Sequence, residues 1–219
     1  MRGWDEMNHR QNVQQRKNQT VKVVGESTLM ATPDQVQIRM GVITQNVEVT
    51  VAQAENAETM TTVISEIQEL GVQEDQIQTV VYRIDPEYDY IEGEQVFRGY
   101  RVVHLIQVTL SQVGLVGTIV DAAVLRGVNS LTSIDFMVQE RQALYLIALQ
   151  EAVNQAKEKA LALVEAIQGT LHPMPIEVKE LTNESFPDRY PAVLSAQTTP
   201  IQPGQLTFQV SVEAIFSYY

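Results

Sequence analysis

"PDQVQIRMGVIT", residues 33–44, decides the fold. Val36, Ile38, Met40 and Val42 alternate with Gln35, Gln37, Arg39 and Gly41. A period of two puts the apolar side chains on one face of a strand and the polar ones on the other. Such a strand belongs to a sheet covered on one side. Immediately downstream the period changes. Val49, Ala52, Asn56, Met60, Val63, Ile67 and Leu70 recur at three and four, and Gly71 follows as a stop. This predicts an amphipathic helix over 49–70.

Working outward, Val21 and Val23 alternate with Lys22, and Gly25 is expected to end or bulge a short strand. "IQTVVYRI", 77–84, is rich in β-branched residues and reads as a strand. A strand over 100–110 carries Tyr100, Val102, Ile106, Val108 and Leu110 on one face, with His104 between them. A helix over 113–126 has Val113, Val116, Val120 and Val124 on one side and Gly127 at its end. Residues 130–138 alternate again. A long helix over about 140–168 shows a stripe of Leu146, Leu149, Val153, Ala156, Ala160, Leu163 and Ile167. Alanine at two of these positions favours packing on a sheet over a coiled coil. Strands are expected at 172–180 and 206–216.

The order strand, long helix, strand, long loop, strand occurs twice. The expected fold is therefore α+β: two β-α-β-β units, about 21–111 and 128–219, joined by the helix 113–126. Each helix packs on an antiparallel or mixed sheet. Residues 21–219 read as a single domain, because no flexible linker separates the halves. Residues 1–20 read as a polar, disordered tail. The four prolines Pro187, Pro191, Pro200 and Pro203 make 182–204 a long loop.

Composition removes several functional classes. The chain has 219 residues, and its 27 acidic side chains against 15 basic ones give a net charge of −12. Nucleic-acid binding needs a basic face, and none is visible. With no cysteine, thiol nucleophiles, thiolate metal sites and disulfides are excluded. No stretch reaches the roughly 20 apolar residues of a membrane helix, so membrane insertion is not expected. The polar opening residues contain no apolar run of signal-peptide length, and the expected location is the cytoplasm, with a processed envelope protein as the alternative.

Catalytic motifs are missing. There is no Walker A loop, G-x-G-x-x-G, G-x-S-x-G or H-E-x-x-H. The histidines His9, His104 and His172 lie in three different elements. His104, on the apolar face of its strand, is the one that could centre a hydrolytic site, but it reads better as a structural histidine bonded to a neighbour. No cofactor and no catalytic or metal-binding residue is expected.

The least ordinary stretch is "DPEYDYIEGEQVFRGY", 85–100. Asp85, Glu87, Asp89, Glu92 and Glu94 are interleaved with Tyr88, Tyr90, Phe97 and Tyr100. Asp85, Glu87 and Asp89 match the first, third and fifth positions of a calcium loop, but Tyr90 replaces the sixth-position glycine and Val96 the twelfth-position glutamate. An EF-hand is rejected. The stretch reads as a projecting acidic-aromatic arm, with Asp85, Tyr88, Asp89, Tyr90, Phe97 and Tyr100 as candidate contacts to another subunit or protein.

Taken together, several segments resemble the SIMPL-domain family. They are Gly25, the Pro33-Asp34 pair, Gly41-Val42, Ala54-Glu55-Asn56, "LGVQEDQIQT" (70–79), "YDYIEGEQVFRGYRV" (88–102) with Gly99-Tyr100, and "EAVNQAKEKALALVEAIQG" (151–169). The resemblance implies an α+β fold, a tendency to form rings or other homo-oligomers, and no established catalytic residue. It also suggests a link to stress tolerance or the cell envelope. The resulting expectation is a non-enzymatic, homo-oligomeric assembly or binding protein. The alternatives are a small-molecule or cation binder using loops 85–99 and 182–204, and an unrecognised hydrolase.

Overall fold

The computed structural model describes residues 19–181 and 201–219. In chain order the elements are β1 (Thr20–Ala31), β2 (Gln35–Asn46), α1 (Val49–Glu69), β3 (Ile77–Ile91), β4 (Glu94–Leu110), α2 (Val116–Leu125), β5 (Ser130–Met137), α3 (Arg141–Ala166), β6 (Glu177–Glu180) and β7 (Leu206–Ser217). They build two antiparallel sheets, ordered β3-β4-β2-β5 and β1-β7-β6. The fold is α+β; the first expected β-α-β-β unit is present as β2-α1-β3-β4, whereas the second has β1 in the place expected for the strand 130–138, as β1-α3-β6-β7.

The units do not divide the chain at 111 and 128 as expected. β1 pairs with β7 along its whole length, and β5 pairs with β2. The β2 unit, Thr32–Gln139, is thus inserted between the first strand and the helix of the other. Side-chain alternation states which face of a strand is buried, not which distant strand lies beside it.

In β2, α1 and β4 the expected faces are the ones buried, whereas Asp135 of β5, expected outward, is buried. Ala52, Asn56, Met60, Val63 and Ile67 of α1 face inward. Met60, Val63 and Ile67 belong to a core with Val36, Ile38, Met40 and Val42 of β2 and Ile106, Val108 and Leu110 of β4. Buried Asn56 also pins helix to sheet, its Nδ2 donating to the Val42 carbonyl at 3.0 Å. α2, preceded by a single 3-10 turn at Val113–Leu115, contributes Val116, Ile119, Val120 and Ala123. Val124, expected inward, is exposed. After the step of four from 116 to 120, a 3.6-residue period takes a step of three to Ala123.

In the β1 unit the expected helix stripe is fully buried only at Ala156 and Ala160. α3 buries Ala148, Ala152, Ala156, Ala160 and Val164, with Val23, Val210, Val212, Ala214 and Phe216. Leu146, Leu163 and Ile167 are exposed, and Leu149 and Val153 sit partly buried on the flank. The reason lies in β1, which runs through Gly25 without the expected break. A Cβ on Gly25 would come within 2.6 Å of the Ala156 nitrogen and 2.8 Å of its Cβ. At that separation only alanine fits between helix and sheet.

Three further boundaries differ. β1 already includes Thr20, and residues 1–18 of the expected tail lie outside the described residues. Of the expected loop 182–204, residues 182–200 also lie outside them. The strand expected over 172–180 is only β6, with an isolated bridge from Leu171 to Tyr218. Pro173 and Pro175 cannot donate to a ladder and separate the two.

Candidate functional site

β3 and β4 outrun their sheet. β2 ends at Asn46, opposite Tyr100, so the pairs from Glu87–Gly99 to Ile91–Glu94 continue as two strands alone. The loop expected over 85–99 is therefore a regular ribbon. Its turn is Glu92-Gly93, with φ of 53° and 89°, the two-residue geometry that matches strand twist. The projecting arm was expected, but Pro86 and the carboxylates lower strand propensity, so its strands were expected to stop at 84 and to start at 100. The alternation Glu87-Tyr88-Asp89-Tyr90 was the signal that could have found the ribbon.

A β-bulge shapes the base of the ribbon. Glu87 pairs with Gly99 and Tyr88 with Phe97, leaving Arg98 as the extra residue. Gly99 has φ of 146°, and a Cβ there would lie 2.6 Å from the Asn46 carbonyl oxygen. Glycine is needed where the ribbon passes the β2–α1 corner. The extra residue also turns Phe97 to the face of Tyr100, whose ring centroid is 5.3 Å away at 70°. Tyr88, cross-strand from Phe97, stacks edge-on at 5.7 Å. The structure thus brings Tyr88, Phe97 and Tyr100 of the candidate residues into one run of rings. Tyr90 stands beyond it near the tip, 76% exposed.

The other two candidates, Asp85 and Asp89, hold cations of the chain itself. Asp85 pairs with Arg83 at 2.9 Å, and Asp89 with Arg98. Glu87 lies 3.8 Å from Arg101. Three of the ribbon's five carboxylates are thus met by arginines, partners the sequence reading missed. Among the described residues, no three His, Asp or Glu side chains converge as metal ligands would.

His104 sits below the ribbon, cross-strand from Val42. Its Nε2 lies 3.2 Å from the Thr79 hydroxyl, and its ring meets Tyr82 edge-on at 5.2 Å. Burial lowers its pKa below the ordinary 6.5. The polar group in hydrogen-bond reach of Nε2 is thus a hydroxyl.

Two sheets, each under one long helix, with a two-stranded arm running off one of them, define the class of protein. The chain belongs to the SIMPL family, whose model matches residues 21–216 and is described as a protein of unknown function (DUF541). It is similar to the 26 kDa periplasmic immunogenic protein of Brucella melitensis biotype 1, at 27% identity over 209 residues, covering 90% of this chain and 83% of that protein. It is also similar to the uncharacterized protein YggE of Escherichia coli K12, at 23% identity over 86% of this chain and 76% of that one. A third relative, YggE of Edwardsiella ictaluri, is 25% identical over 88% and 84% of the two chains.

The Brucella melitensis relative, and its counterpart in Brucella abortus at the same 27% identity, are named as periplasmic proteins, which overturns the expected cytoplasmic location. That expectation rested only on the polar character of residues 1–20, which carries no information about a longer precursor. No helix among the described residues is long and apolar enough to cross a membrane.

Proposed function

We propose that this protein is a non-catalytic, self-assembling module that works in the periplasm, with the ribbon as its assembly arm. One observation carries the reading. Beyond the end of β2 the ribbon exposes Tyr88, Tyr90 and Phe97 on one face and Ile91 and Val96 on the other. A two-stranded hairpin is marginal in water without a layer to pack on. Exposed aromatic side chains grouped in this way are the composition of an interface core. The arginine-neutralised carboxylates support the same reading, because they leave little uncompensated charge to desolvate. The location is taken from the naming of the Brucella relatives, and a link to stress tolerance or the cell envelope is what the family resemblance suggests.

Mass-resolved light scattering on the full chain tests the assembly. The native chain is expected to elute as an oligomer, and Tyr88→Ser with Phe97→Ser as a smaller species with unchanged helix content. A native monomer at tens of micromolar would refute the reading. Fractionation of native cells tests the location, with the protein expected in the osmotic-shock fluid.

A further inference from the structure

The four outer edges of the two sheets are not equally protected. β1 is capped by α3: Gln155 accepts from the Glu26 amide at 2.7 Å, and Lys159 Nζ donates to the Val24 carbonyl at 2.8 Å. β6 is only Glu177–Glu180, three of its four residues charged. β5 spans eight residues. β3 spans fifteen, every one partly or fully exposed. Among the described residues, no backbone hydrogen bond reaches its outer side. A long open edge is a template for another strand.

The sequence along that edge says which strand. Counted back from the Ile91–Glu94 pair that closes the turn, the N–H and C=O groups of Tyr82, Ile84 and Pro86 point outward. Pro86 has no N–H to lose there. Lay a second copy antiparallel against the first, with Ile84 opposite Ile84. Arg83 then faces the second copy's Asp85, and Asp85 its Arg83. Tyr82 faces Pro86 on both sides. The run "YRIDP", 82–86, is its own complement in charge and shape. Both ionic side chains are free to re-pair, being 61% and 51% exposed.

We infer that β3 is a two-fold interface, at which two copies join edge to edge about Ile84 through an antiparallel ladder over 82–86. Pro86 limits the ladder to this short segment, so the contact adds to the aromatic arm and does not replace it. The inference rests on the self-assembly reading and names the symmetry of one of its contacts.

A chain without cysteine allows a clean test. Opposed residues in such a ladder have Cα atoms about 4.5–5.5 Å apart, within disulfide reach. Under mild oxidation Ile84→Cys is expected to form a covalent dimer by itself. Arg83→Cys and Asp85→Cys are expected to cross-link efficiently only when mixed, and both are exposed positions that leave the core intact. Glu58→Cys, exposed on α1 and outside both proposed contacts, is expected to stay monomeric on a non-reducing gel. If the native chain associates in light scattering but neither Ile84→Cys nor the mixture cross-links, the two-fold edge is wrong and self-assembly stands. Equal cross-linking at all positions, Glu58 included, would also refute the edge. A native monomer refutes both readings.

Discussion

The backbone of Gly25 lies against Ala156 so closely that a Cβ on the glycine would come within 2.8 Å of the alanine's own Cβ. The contact makes the alanine stripe of α3 a requirement of packing. Gly25→Ala is expected to force β1 and α3 apart and cost at least ~2 kcal/mol, with Gly25→Val worse. Urea denaturation checks it. An unchanged midpoint would mean that the helix can shift outward at no cost.

Asn56 is the polar member of an otherwise apolar helix face. It is fully buried and holds the Val42 carbonyl. Asn56→Ala leaves that carbonyl without the side-chain donor and is expected to cost about 1–3 kcal/mol. The change should appear as a lower melting temperature with no change in association state.

Gly99 combines a positive φ with close approach to Asn46. Gly99→Ala is expected to displace the ribbon from the β2–α1 corner while leaving the α1 core intact. Near-ultraviolet circular dichroism should change, since Tyr88, Phe97 and Tyr100 lose their mutual geometry. Self-association should weaken in the same variant.

His104 gives stability a pH dependence. Burial lowers its folded pKa below the ordinary 6.5, so the unfolded chain takes up the proton first as pH falls. The contribution has no effect above about pH 6.5 and lowers stability progressively as pH drops from there toward the folded value. The native chain is expected to lose stability across that window, and His104→Gln to lose less of it. Chemical denaturation at several pH values checks the difference in slope.

The sequence made some of this legible and hid the rest for physical reasons. In β2 and α1 large apolar residues carry the period, and the buried sets match the expected faces. In α3 the large residues mislead. Leu146, Leu163 and Ile167 look like core, but Gly25 draws the helix so near the sheet that alanine fills the contact. The exchange of β1 and β5 between units depends on long-range pairing, which no local pattern encodes. For the candidate site, composition suggested an aromatic arm. That Tyr88, Phe97 and Tyr100 meet depends on a one-residue bulge at Arg98, which could not be placed before the register was known.

The central claim is that the aromatic arm joins copies of the chain. Its most direct measurement is the mass of the native protein in solution against that of the Tyr88→Ser, Phe97→Ser variant, by light scattering at matched concentration. The expected result is an oligomer for the native chain and a smaller, folded species for the variant. Equal masses for the two, with the native chain a monomer, would contradict the claim.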